Sequence, residues 1–115
     1  MEIYDTANRL AEEIKNSDQY KNLKIAKENI NSNPEKKSKV EEFENLKQEV
    51  QLMEVRQQNN QEIDENEKKV KLAKLYNVLI ENKDIKEYFD YEIAFNQLMI
   101  DVNKIIGDGI KDILQ

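Results

Sequence analysis

The chain of 115 residues carries 18 lysines and arginines against 24 aspartates and glutamates, with no histidine and no cysteine, for a formal net charge of −6. Disulfides, thiolate metal sites, cysteine nucleophiles and imidazole acid–base chemistry are therefore excluded. A basic surface able to neutralise phosphates is not expected either, so nucleic acid is an unlikely partner.

Charged residues make up 37% and hydrophobic ones 38% of the chain. That is enough apolar material for one domain, residues 1–115, but not for a thick globular core. Two glycines and one proline leave little turn chemistry, which favours long helices over hairpin-linked strands. The start, "MEIYDTANRL", has no basic stretch followed by an apolar run. No segment approaches the ~20 apolar residues that span a bilayer. The expectation is a cytoplasmic protein without membrane insertion.

Ile3, Ala7, Leu10, Ala11 and Ile14 recur at helical spacing and predict a first helix over 3–14. Asn16-Ser17-Asp18 interrupts it, with Ser17 placed to cap a second helix carrying Tyr20, Leu23, Ala26 and Ile30. "NSNPE" at 31–35 is the clearest break. Asn33 or Ser32 can cap there, and Pro34 suits the first helical position, where its missing N–H costs nothing.

A third helix is predicted from Pro34 to Gln57, with Val40, Phe43, Leu46 or Lys47, Val50 and Met53 or Glu54 in a near-heptad stripe. The stripe is narrow, closer to a coiled-coil seam than to a broad core face. "QQNNQE" at 57–62 reads as a joint, although a continuous helix is compatible with it. A fourth helix follows through Ile63, Val70, Ala73, Tyr76, Val78, Leu79 and Ile80.

Asn82-Lys83-Asp84 separates it from a fifth helix over about 84–106, which Gly107 and Gly109 are expected to end, leaving a short apolar tail. On that helix Tyr88, Tyr91, Phe95, Leu98, Met99, Val102 and Ile106 share one face. Ile85, Phe89, Ile93 and Ile100 form a second stripe. A helix apolar over so much of its circumference must be covered on more than one side, and a partner chain is the simplest cover. The candidate oligomer or partner interface is therefore Ile85, Tyr88, Phe89, Tyr91, Glu92, Ile93, Phe95, Met99 and Val102. Glu92 stands out as a carboxylate on an apolar face. The fold expected is all-α, with about five helices, three of them long, in an elongated hairpin or bundle completed by self-association.

No phosphate loop, zinc-protease motif, calcium loop or serine elbow occurs in the sequence. Carboxylate pairs such as Glu41/Glu44 lack the histidines that usually join them in dimetal bundles. Neither a catalytic residue nor a metal or cofactor site is assigned. Lysines cluster at Lys36, Lys37 and Lys39 and at Lys68, Lys69, Lys71 and Lys74, each diluted by glutamates. A direct RNA-binding accessory role is the alternative they leave open.

"IYDTANRLAEEIKNSDQYKNLK" at 3–24, "VEEFENLKQEVQLMEVRQ" at 40–57, "IENKDIKEYFDYE" at 80–92 and "LMIDVNKIIGDGIKDIL" at 98–114 together resemble the YheA-like proteins (UPF0342). These are a branch of the YlbF/YmcA superfamily of small helical bacterial proteins, and the likeness spans nearly the whole chain in order. The resemblance implies an all-helical fold that associates with itself, and a role without catalysis. It also implies partners among other helical regulatory proteins, with links to competence, sporulation, biofilm formation or RNA processing. Regulatory members carry cysteines tied to an iron–sulfur cluster. This chain has no cysteine, so cluster binding does not carry over.

Overall fold

The structure, a computed structural model, describes residues 2–56 and 62–114. Five helices follow one another: α1 (Glu2–Lys15), α2 (Asp18–Asn31), α3 (Pro34–Arg56), α4 (Glu62–Leu79) and α5 (Lys83–Leu114). Among the described residues there is no strand. The expected joint at 57–62 lies, up to residue 61, outside the described residues.

Each of the three described breaks is built by a short polar side chain that satisfies the first free amides of the next helix. Ser17 Oγ accepts the Tyr20 N–H at 3.2 Å and donates to the Ile14 carbonyl at 2.5 Å, so one hydroxyl closes α1 and opens α2. Asn33 Oδ1 accepts the N–H groups of Glu35 and Lys36, both at 3.1 Å, which makes Asn33 the cap of α3. Ser32 instead donates to the Asn29 carbonyl at 2.9 Å, at the end of α2. Asn82 Oδ1 accepts the N–H groups of Asp84 and Ile85, at 3.0 and 3.2 Å, and starts α5.

The glycines do not end α5. The helix continues through Gly107 and Gly109 to Leu114. Neither glycine takes the left-handed backbone that a C-terminal cap would need. A glycine inside a helix costs about 1 kcal/mol relative to alanine and does not by itself break it.

The chain forms two compact units, one of Asn29–Lys86 and one of Met1–Glu28 with Glu87–Gln115. In the first, α3 and α4 run antiparallel: Phe43 meets Tyr76 with ring centroids 5.9 Å apart, and Glu54 meets Lys69. Val40, Phe43, Leu46 and Val50 are all buried, which settles the stripe on Leu46 rather than Lys47. Leu79, Ile85 and Ile30 are buried in the same unit, Ile85 almost completely. In the second unit only Ala26 and Phe89 are buried among the described residues. There Tyr20 of α2 meets Phe95 of α5 edge-on, with centroids 6.1 Å apart.

Replacing Asn82 by alanine is predicted to cost about 1 kcal/mol of folding stability, the usual value of a lost cap. Ser32→Ala should cost clearly less, because its exposed hydroxyl caps no helix start. Urea denaturation of both variants checks this, and equal losses would contradict the assignment of the caps.

Candidate interaction surface

The nine residues expected at an interface separate by burial. Ile85 and Phe89 are 1% and 3% exposed, so this chain already covers them. Tyr88, Tyr91, Glu92, Phe95, Met99 and Val102 are half-buried. Only Ile93 stands open, at 62% exposure.

Further open apolar side chains lie beyond that set. On α5, Ile100, Ile105, Ile106, Ile110 and Ile113 are all exposed, Ile113 to 81%. Helix α1 buries no residue at all, although its apolar residues recur at helical spacing. Ile3 and Tyr4 are about two-thirds exposed, Ala7 and Ala11 are exposed, and Leu10 and Ile14 are half-buried. The signal for the end of α5 was present in the sequence: Val102, Ile106, Ile110 and Ile113 continue the three- and four-residue spacing past both glycines.

Two concave surfaces accompany these faces. A shallow groove of about 400 Å³ on the α3–α4 pair is lined by Phe43, Val50, Leu72, Ala73 and Tyr76, and the Glu54–Lys69 ion pair at 3.2 Å borders it. A smaller one, of about 190 Å³, lies between Tyr20, Leu23 and Phe95, beside Lys24 and Lys27. Neither gathers the convergent polar groups of a small-molecule site. No cluster of three metal-ligating side chains occurs among the described residues.

The lysine clusters are largely engaged. Lys36 binds Asp84 Oδ2 at 2.6 Å, Lys39 binds Glu35 at 3.1 Å, Lys68 binds Glu49, and Lys69 binds both Glu54 and Glu65 at 3.2 Å. Hydrogen bonding to these carboxylates holds the ammonium groups of Lys68 and Lys69 above the ordinary lysine value. Four of the seven clustered lysines thus neutralise the chain's own acids.

A family model described as control of competence regulator ComK, YlbF/YmcA, matches residues 3–111. The chain belongs to this family. A UPF0342 protein of Halothermothrix orenii is 39% identical over 111 residues, covering 96% of this chain and 91% of the relative. One from Symbiobacterium thermophilum is 37% identical over 108 residues, covering 94% and 93%. One from Desulfitobacterium hafniense is 34% identical over 115 residues, covering 99% and 89%. The full-length likeness to UPF0342 proteins agrees with the resemblance drawn from the sequence. No described helix of this YlbF/YmcA family member is long and apolar enough to cross a membrane.

One ion pair ties the start of α5 to the start of α3. The Lys36 ammonium lowers the Asp84 carboxyl below the usual aspartate value, first by its hydrogen bond and then by its charge, against a smaller opposing desolvation. A depressed carboxyl stabilises the fold above the unfolded-state pKa and loses that contribution as pH falls through the folded-state value. Acidification from neutral pH through the aspartate range is therefore predicted to lower the melting temperature. Asp84→Asn should show a shallower acid-dependent loss than the parent. Superimposable pH–stability curves would contradict a role for this pair.

Proposed function

We propose that the chain is a non-catalytic, homo-oligomeric helical module that acts by binding protein partners, in the line of competence-type regulation that its family description names. The observation that carries this is the open apolar surface of the unit containing α1 and most of α5. There Ile3, Tyr4, Ile93, Ile100, Ile105, Ile106, Ile110 and Ile113 are each at least half exposed. Monomeric proteins rarely leave contiguous apolar patches beyond about 300–600 Å². A net charge of −6 and an amphipathic, uncovered α1 are compatible with helix-on-helix docking and offer no basic track for a nucleic acid. The internal pairing of Lys36, Lys39, Lys68 and Lys69 weakens the RNA-binding alternative further. Other helical regulatory proteins are the partners that fit this surface chemistry.

The purified chain is expected to run above its monomer mass of 13.7 kDa in size exclusion with light scattering at micromolar concentration. It should also show no retention on RNA at low salt. A folded monomer at that concentration would overturn the oligomeric part of the proposal, and salt-sensitive RNA retention would overturn the choice of partner class.

A further inference from the structure

The chain's two glycines both lie inside α5, where neither serves a turn. At about 100° per residue they fall in different apolar stripes. Gly109 sits at the centre of an arc formed by Leu98, Val102, Ile105, Ile106 and Ile113. Gly107 falls on a second line with Ile93 and Ile100, at seven-residue intervals. A side-chain carbon built at either glycine would meet nothing within 4 Å. Within one chain, each therefore costs helix stability and returns no contact.

We propose that the Gly109 stripe of α5 is the face on which a second copy of this chain seats, the two α5 helices crossing closely at Gly109. This rests on the self-association proposed above and names its surface. Three physical features favour a second copy as the occupant.

The first is area. Ile105, Ile106 and Ile113 are 72%, 50% and 81% exposed. These three open side chains, with the apolar residues around them, supply area toward the ~800 Å² that each side of a standard interface contributes. Half-buried Leu98 and Val102 and exposed Ile110 lie around them and can supply the surround.

The second is charge. The arc of Leu98, Val102, Ile105, Ile106, Gly109 and Ile113 itself carries no ionisable residue, so a second copy can seat on its centre with Asp112 left at the solvated rim. Asp101, Lys104, Asp108 and Lys111 lie on another side of the helix, with Lys104 bound to Asp108 at 3.1 Å and Gln97 to Asp101 at 2.9 Å; Asp112, seven positions after Ile105, stands at the edge of the stripe. A basic partner would find nothing on the stripe to recognise.

The third is shape. An interface built about a two-fold axis sets the same patch against itself. A glycine at its centre lets two backbones approach where side chains would hold them apart. The rival occupant, α1 of the second copy, offers only two widely open large side chains, Ile3 and Tyr4.

Sedimentation of the full-length chain over a dilution series provides the test, with Gly109→Ala and Gly107→Ala compared side by side. Both alanines fit the single chain without a clash and favour helix, so both variants are expected to fold with unchanged or raised helix content by circular dichroism. Gly109→Ala should weaken assembly about tenfold or more through overpacking at the crossing. Gly107→Ala should assemble like the parent. If Gly109→Ala assembles as tightly as the parent, or if Gly107→Ala is the one that weakens it, the crossing at Gly109 is overturned while self-association stands. A monomeric parent would overturn both.

Cysteine cross-linking supplies a second reading, clean because the chain has no cysteine of its own. Ile106→Cys and Ile113→Cys, alone or mixed, should give oxidised α5-to-α5 dimers. Preferential capture by Ile3→Cys would place α1 of the second copy on this face and overturn the proposal.

Discussion

The seam between α3 and α4 gathers most of the buried apolar side chains among the described residues. Val40, Phe43, Leu46 and Val50 present one buried residue every three or four positions. The ring of Phe43 against Tyr76 and the nearly sealed Ile85 complete that interior. Seven of the nine buried apolar side chains, Ile30, Val40, Phe43, Leu46, Val50, Leu79 and Ile85, fall in the unit of Asn29–Lys86. The other unit holds only Ala26 and Phe89 in this class. The hydrophobic effect scales with area removed from water, so most of the closed core's stabilisation sits in the unit of Asn29–Lys86, although Leu52, Val55, Val70 and Val78 are open there. The other unit closes less and leaves Ile3, Tyr4 and the isoleucines of α5 in water.

The joints matter because so little else can set the path of the chain. With one proline and no glycine outside α5, the direction changes among the described residues fall to Ser17, Asn33 and Asn82. Each takes up amides that a helix start leaves unpaired. The Lys36–Asp84 pair then joins two of those starts, since Lys36 lies in the first turn opened by Asn33 and Asp84 in the one opened by Asn82. Surface ion pairs are individually weak. This one is short and only partly exposed, and it acts on the same turns that the caps define.

The caps and the α3 stripe were legible in the sequence because both are local: a short polar side chain before an apolar run, and a spacing of three and four. Choosing Leu46 over Lys47, or Asn33 over Ser32, needed the neighbouring helix or the amide geometry, which no single chain position encodes. Gly107 and Gly109 misled for a related reason. Glycine after an apolar helix usually marks its end, but that role requires a left-handed backbone, and glycine is equally able to remain helical. Only the apolar period running on to Ile113 distinguished the two cases. Burial was the least legible quantity. Ile85, Phe89 and Ile93 share one stripe at four-residue spacing, yet the first two are covered and the third is open, because coverage depends on what stands opposite.

Net acidity and the proposed self-association pull against each other, and the placement of charge on α5 offers a way past the conflict. A chain with an excess of six acids repels its own copies at long range. Repulsion of that kind is screened over roughly 8–10 Å in ordinary salt, whereas contact between apolar faces is not. An arc free of ionisable groups, with Asp101, Lys104 and Asp108 turned to another side and Asp112 at its edge, would keep the repulsive groups out of the centre of the proposed contact. Under the proposal, acidity would limit indiscriminate aggregation of a surface this apolar, while the neutral arc would still admit a matching one. Specificity in the proposed module would then come from which helical faces are left free of charge.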